Sequence, residues 1–447
     1  MPETDREEIL PGATVEKRRR IPGMLRALRH RNFQLFFSGQ LISLIGTWMD
    51  NIAEAWLVYR LTGSSLLLGT VAFAGQIPVF LLAPIGGMAA DRWNRRRIVI
   101  ATQTLSMIQA GILAALTLSH RVTVWEVVAL AASMGAVNAF DIPARQAFLV
   151  EMVGREDLMN AIALNSSMFN GARIIGPSIA GILVASIGEG WCFFANSVSY
   201  IAVITGLLLM HVEPLRRAVS EASPFEHIVE GFRFVRRTGP IWALMLLIGL
   251  VSLVAVPYSV LMPIFADRIL HGGARALGIL MSAAGVGALL GALTLAARRG
   301  VHGLGRWVAY SAAGFGFSLI LFSFSKTFWL SVALLIPVGY GVMLQMSSSN
   351  TLIQAMVPDH LRGRAMAVYT MMFMGMAPIG ALLAGAMADR IGAPLTVAIG
   401  GLAAALGAAY FYRRLPKLRF EARELLSAQG IASPEPADQI TAGALLK

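Results

Sequence analysis

"MVGREDLMNAIALNSSMFNGARIIGPSIAGILVASIG" fills residues 152–188, and 204 residues later the chain repeats its pattern as "MVPDHLRGRAMAVYTMMFMGMAPIGALLAGAMADRIG", residues 356–392. In this register Met152, Val153, Ala161, Ala163, Met168, Gly171, Gly176, Ala180, Gly181, Ile187 and Gly188 fall on Met356, Val357, Ala365, Ala367, Met372, Gly375, Gly380, Ala384, Gly385, Ile391 and Gly392. Apolar helices share composition, so some identities mean little. Glycines that hold register across a whole apolar segment mean more. The chain is built of two similar halves.

What those halves are made of follows from composition. The 447 residues are 56% hydrophobic and only 14% charged, with a mean hydropathy of +0.66; a soluble globular chain carries about a quarter charged residues. The excess lies in runs of about 20 residues, the length that crosses a bilayer core. Twelve spans are predicted, at 36–60, 66–89, 98–118, 122–142, 161–186, 190–211, 241–265, 276–297, 305–325, 328–347, 365–388 and 394–412. The expected fold is an all-α membrane protein of twelve transmembrane helices in two pseudo-symmetric six-helix bundles, 36–211 and 241–412. A polar interval at 212–240 forms the central loop between them. Residues 1–35 form an N-terminal region, in which "MLRALRHRNFQL" (24–35) reads as an amphipathic helix lying in the membrane interface. Residues 413–447 read as a tail, mobile from 420 onwards.

The net charge of +12 raises nucleic acid as a partner, and its placement argues against it. Of the 37 Lys and Arg, 30 fall in alternate inter-span segments together with both termini. Six lie at the opposite ends of the spans, and Arg173 alone is within one. This positive-inside bias places both termini in the cytoplasm. "KRRR" (17–20) then serves as a topology anchor. Cys192 is the only cysteine, which excludes an internal disulfide or a cysteine metal cluster. There is no Gly-Lys pair, hence no Walker phosphate loop, and neither HExxH nor GxSxG occurs. "GVGALLG" (285–291) lies inside a span, where Gly287 and Gly291 read as small-residue helix packing. No enzyme chemistry, cofactor or metal is implied.

After span 2 comes "GGMAADRWNRRRIVI" (86–100), in which Gly87, Asp91, Arg92, Arg95 and Arg96 satisfy G-x-x-x-D-R-x-x-R-R. This resembles the signature loop between spans 2 and 3 of the major facilitator superfamily. Its plan of two parallel six-span repeats puts the substrate path between the halves. Asn94 departs from the glycine usual there, and its tolerance of positive φ would preserve the turn. Gly87 would permit close helix approach. By resemblance Asp91 would meet the start of span 11, where "LRGRAMAVY" (361–369) supplies Arg362 and Arg364, and would hold a cytoplasmic gate. "GARIIGPSIAG" (171–181), with Gly171, Gly176, Pro177 and Gly181, is similar to the span 5 glycine-proline signature of proton-coupled drug antiporters in that superfamily. Glycines thin a helix face and proline weakens its ladder. Four stretches are wider still: "LRALRHRNFQLFFSGQLISLIGTWM", "WLVYRLTGSS", "FDIPARQAFLVEMV" and "VPDHLRGRAMAVY". They resemble the bacterial branch that includes the enterobactin exporter and macrolide efflux proteins.

One segment looks ill-suited to lipid. "TWMDNIAEAW" (47–56) puts Asp50 and Glu54 on one face of span 1, and a charge at mid-membrane costs roughly 2.5–3.5 kcal/mol on insertion scales. The acids must face water, be protonated, or meet a cation, and Arg173 is the cation at depth. Competition among burial, a like charge and a cation suits a proton-coupling site, so Asp50, Glu54 and Arg173 are the coupling or substrate-binding candidates. Trp48, Gln76, Asn138, Asn165, Asn170, Tyr258 and Gln345 are candidates for a cavity lining, and each equally fits an interhelical contact. Met371, Met372, Met374 and Met376 suggest an adaptable apolar wall, and lipid contact or core filling fits them at least as well.

The resemblance implies a monomeric, proton-driven exporter of an amphipathic drug- or siderophore-type molecule in a bacterial inner membrane. Uptake or a lipid-like substrate on the same fold is the alternative, and a non-transporting sensor or scaffold is a further one.

Overall fold

The computed structural model describes residues 23–211, 224–298 and 300–429. Span 1 is Arg31–Thr62, span 2 Ser65–Arg92, span 3 Arg95–Leu118, span 4 Val124–Val153, span 5 Leu158–Ile187 and span 6 Glu189–Leu209. Span 7 is Gly239–Ile269, span 8 Gly273–Ala296, span 9 Leu304–Phe324, span 10 Phe328–Met356, span 11 Asp359–Ile391 and span 12 Ala393–Ala428. Spans 2 to 12 are the 11 helices long and apolar enough to cross a membrane among the described residues. Span 1 has the length, at 32 residues, but Gln34, Gln40, Asp50, Asn51 and Glu54 hold its hydropathy down. It packs against spans 5 and 6 as a full member of its bundle.

Lipid-facing stripes are legible on the outer spans. Leu105, Ile108 and Ile112 of span 3, and Leu395, Ile399, Leu402 and Leu406 of span 12, are exposed at helical spacing. In a bilayer such a surface is solvated by acyl chains.

The structure gives the glycine register its reason. Gly176 of span 5 lies against the backbone of span 1 at Ile45 and Met49, and its counterpart Gly380 of span 11 lies against Leu253 of span 7. Gly181 packs on Gly278 of span 8, and its counterpart Gly385 packs on Gly69 of span 2. A Cβ at either of the last two would fall within about 3 Å of opposing backbone atoms. The bundles therefore meet along two seams, span 5 with span 8 and span 2 with span 11. Gly188 and Gly392, also equivalent, end spans 5 and 11 at φ 90° and 84°, a conformation that favours glycine. Gly287 of span 8 meets Ile336 of span 10, and Gly339 meets Ala284 in return, so the "GVGALLG" glycines do pack helices.

Two spans are irregular. Span 7 tightens to a 3-10 turn at Val256–Leu261, where Pro257 cannot donate to the ladder, and ends in a π turn at Phe265–Ile269. Span 11 carries a π turn at Met371–Gly375.

Both flanks differ from expectation. Instead of an amphipathic helix over 24–35, Gly23–Arg29 is a short 3-10 segment and span 1 begins at Arg31. Asp157, at the start of span 5, binds Arg26 at 2.6 Å and His30 at 2.8 Å, while the Ala27 N–H donates to Asn160. This local ion-pair cluster outcompetes a free interfacial helix. Span 12 runs on to Ala428, so 413–428 is helix rather than loose tail, held by Leu415 and Leu418 packing into the second bundle. The central interval contains a helix, Pro224–Arg237. "KRRR", residues 212–223 and 430–447 lie outside the described residues.

Candidate functional site

For orientation, the loop end of the molecule carries the span 2–3 loop and the Pro224–Arg237 helix, and the far end carries the turns between spans 1 and 2 and spans 11 and 12. A cavity of about 950 Å³ lies between the bundles. Spans 1 and 5 contribute Trp48, Ser166, Arg173 and Pro177; the second bundle contributes Tyr258, Ser259, Met281, Met343, Met346, Ser347, Asn350, Thr351, Tyr369 and Phe373. It reaches the loop-end half, where Asn350 and Thr351 lie near the end of span 10. At the far end the bundles are joined. The Asp389 carboxylate of span 11 accepts from the Ser65 N–H at 2.9 Å, capping span 2. The Tyr59 hydroxyl donates to Asp267 at 2.7 Å, and Arg268 donates to the Gly63 carbonyl at 2.9 Å. At mid-depth Ser282 donates to the Ile174 carbonyl and meets Ser178, both at 2.8 Å.

The candidate residues separate. Arg173 lines the cavity with its guanidinium 5.7 Å from the Trp48 ring. Asp50 does not face it. The Asp50 side chain is buried and points into the first bundle toward Asn196 of span 6, and no ion pair joins Arg173 to either acid. Gly46, one turn before Asp50, packs on Asn196 and Ser199, which fixes that face of span 1 against span 6. Asp50 Oδ1 and Asn196 Nδ2 both lack a hydrogen-bond partner. Glu54, the next turn along, is half-buried.

Of the proposed lining, Trp48 and Tyr258 reach the cavity. Gln76 is exposed, and Asn138 and Asn165 are half-buried away from it. Asn170 donates to its own helix at the Ser166 carbonyl. Gln345 is fully buried in the second bundle, with neither end of its amide hydrogen-bonded. The span 11 methionines are not the cavity's apolar wall, since Met372 packs on Gly249; Met281, Met343 and Met346 form it instead. Those residues carried no sequence signal beyond their composition.

The span 2–3 loop is organised, but differently from expectation. Asn94 has φ −66°, not a positive value, and caps span 3 by accepting from the Arg97 N–H at 3.1 Å. Arg95 is buried, bonding the Ala90 and Ala147 carbonyls and pairing with Glu151 at 2.9 Å. Arg96 donates to the Leu207 and Leu208 carbonyls at the end of span 6, where a cation suits the helix dipole. Arg92 stands exposed beside Trp93. Asp91 is 72% exposed and sits 3.6 Å from Arg95. Its expected contact with span 11 is not made, because the loop end is parted: Arg362 pairs with Asp359, and Arg364 with Glu230 of the Pro224–Arg237 helix. Gly87 faces open space, while Gly86 beside it makes the close approach, to Ala139 of span 4. Gly171 likewise has no near neighbour, whereas Gly176, Pro177 and Gly181 all stand at contacts.

Sequence reading missed a buried acid. Asp141 of span 4 accepts from Thr102 at 2.8 Å and Gln103 at 3.0 Å, and pairs with Arg145 at 3.2 Å. A signal was available in span 1, where Gln40, Ser43, Thr47, Asp50 and Glu54 recur at alternating spacings of three and four and mark a polar face.

Among solved structures the fold is similar to the nucleoside transporter NupG, with a TM-score of 0.66 at 16% identity over 86% of this chain and 98% of that one. It is similar too to an inward-facing bacterial homologue of ferroportin, with a TM-score of 0.63 at 15% identity over 86% and 98%. By sequence the chain is 26% identical to the staphyloferrin A transporter of Staphylococcus aureus (strain NCTC 8325 / PS 47), over 87% of this chain and 98% of that protein. It is 30% identical to the multidrug efflux pump Tap of Mycolicibacterium fortuitum, over 78% and 87%, and 25% identical to the enterobactin exporter EntS of Escherichia coli O1:K1 / APEC, over 80% and 85%. The family model for transmembrane secretion effectors matches residues 23–442, and with two repeated bundles around one cavity, the chain belongs to that family of major facilitator transporters.

Proposed function

We propose that the protein exports an amphipathic small molecule of drug or siderophore type from the cytoplasm by proton antiport, working as a monomer in a bacterial inner membrane. The observation that carries this reading is the large cavity reaching toward the loop end between the bundles, which are joined at the far end by Asp389, Tyr59 and Arg268. The positive-inside bias puts that end in the cytoplasm, so the cavity is poised to load from inside. Its wall is aromatic and methionine-rich, with hydroxyls, one amide and one cation, Arg173. That chemistry suits an aromatic molecule bearing a negative or electron-rich group. Rocking the bundles would part the far-end contacts and bring Asp91 to the start of span 11. Asp50 supplies the titratable group, with Glu54 beside it on the way to the far end.

The test uses everted vesicles with a respiration-driven pH gradient and an acridine reporter of lumenal pH, to which drugs, dyes and siderophores are added singly. Compound-driven proton release in wild type that disappears in Asp50→Asn is the expected result. Release that persists in the mutant removes Asp50 from the coupling path, and silence across the panel sinks proton-driven export.

A further inference from the structure

Asp50 and Asp141 are the fully buried acids of spans 1 to 4, and the core of the first bundle links them. On span 1, Gln40, Ser43 and Asp50 are buried and Thr47 is half-buried, all on one face. On span 6, Asn196 stands beside Asp50, and Tyr200 lies one turn further toward the loop end with its hydroxyl 3.4 Å from Thr47 Oγ1. Ser106 of span 3 lies against the same hydroxyl. Gln103, nearly a turn along span 3, donates to Asp141, and Asp141 pairs with Arg145, which is a quarter exposed at the loop end. Five buried polar atoms here lack partners: Gln40 Oε1, Asp50 Oδ1, Gln103 Oε1, Gln109 Oε1 and Asn196 Nδ2. A dry bundle held only by polar glue would satisfy such groups, since each orphan costs about 1–3 kcal/mol; groups of this kind in one core are what bridging water satisfies. The second bundle has orphans too, at Ser252, Gln345 and Ser348, but no buried acid among the described residues.

We infer that this column, Asp50 – Thr47 – Tyr200 – Ser106 – Gln103 – Asp141, is a proton path through the first bundle, separate from the substrate cavity. It rests on the antiport reading and gives that reading its proton exit. A proton leaving the Asp50 carboxyl joins a hydroxyl oxygen or bridging water, which releases its own proton to the next, until one is delivered at Asp141 and escapes past Arg145. No bond other than O–H changes, and the hydroxyls of Thr47, Tyr200 and Ser106 are each able to donate and accept; Thr47, which here donates to the Ser43 carbonyl at 2.9 Å, takes its place in the relay by rotating its hydroxyl. Gln103 positions the chain rather than carrying the proton. The groups facing Asp50 are Glu54 on its own helix, and Cys192, Asn196 and Tyr200 on span 6; Arg173 of span 5 faces the cavity instead.

The test reads the protonation of Asp50 by its carboxylic-acid infrared band, assigned with Asp50→Asn. The full chain sits in liposomes with the loop end outward, and pH is stepped on that side alone. Tyr200→Phe keeps the ring and removes the hydroxyl, and Ser106→Ala removes the next one. Protonation slowed about a hundredfold in either is expected, with Tyr310→Phe, on the outer surface, unchanged. Wild-type rates in both column variants overturn the path; should Tyr200→Phe not fold, Ser106→Ala decides. Slowed protonation without compound-driven release in wild type keeps the path and refutes antiport. Release that persists in Tyr200→Phe and Ser106→Ala refutes the path alone.

Discussion

Asp389 offers the sharpest handle on the conformational balance. Its carboxylate caps span 2 from the opposite bundle, accepting from the Ser65 N–H at 2.9 Å and lying 3.4 Å from the Leu66 N–H and the Ser64 hydroxyl. Two terms act there. A negative charge at a helix N-terminus is worth about 0.3–1 kcal/mol at an exposed site, and a side-chain cap is worth about 0.5–2 kcal/mol when replaced by alanine. Asp389 is exposed, so solvent screening keeps both near their lower ends. Asp389→Asn keeps an acceptor and loses the charge, so it should favour the far-end-open state by about twofold; Asp389→Ala loses both and should reach about four- to eightfold. Spin labels at Trp125→Cys and Trp329→Cys report this, because both positions are exposed near the far end of different bundles and Cys192→Ala removes the one native thiol. Pulsed electron–electron resonance should show a growing long-distance population in the order wild type, Asn, Ala. Identical distributions in all three would show that the cap does not bias the cycle, and an Asn effect as large as that of Ala would assign the whole term to charge.

Three further outcomes are expected. Gly287→Ala would set a Cβ 1.9 Å from the Ile336 carbonyl oxygen, so it should lower the thermal unfolding midpoint by an overpacking cost of about 1–3 kcal/mol, whereas Gly314→Ala, with nothing near it, should leave the midpoint unchanged or raised. Arg173→Gln should weaken an anionic aromatic ligand about ten- to a hundredfold, from a charged hydrogen bond worth about 1.5–3 kcal/mol, and leave a neutral analogue unaffected in tryptophan quenching. His30, together with Arg26, holds the Asp157 carboxyl below its usual range. The folded state thus binds that proton less tightly than the unfolded one, so docking of Gly23–Arg29 should persist above about pH 4 and fail as pH falls through the lowered value. A fluorophore at Leu25→Cys would follow it, and Asp157→Asn should abolish the transition.

Much of this architecture could be read without coordinates. Span positions follow from a bilayer's thickness and apolarity, which act on each segment independently. The repeat was legible because equivalent glycines meet equivalent backbones, Gly176 on span 1 as Gly380 on span 7, and no other residue fits. What hydropathy cannot convey is rotation about a helix axis. Asp50 and Trp48 are two residues apart, yet one faces span 6 and the other the cavity. Only the packing of Gly46 on Asn196 and Ser199 decides that, and with it whether Asp50 meets Arg173. Asn94 shows the same limit, because asparagine suits both a left-handed turn and a helix cap, and the placement of span 3 selects the cap. Which end of the molecule is closed was equally beyond the sequence, since that choice rests on a few contacts between bundles, each worth about a kilocalorie per mole. Composition and periodicity thus determined that two six-helix bundles span a membrane, while close contacts between helices decided which polar groups share a site.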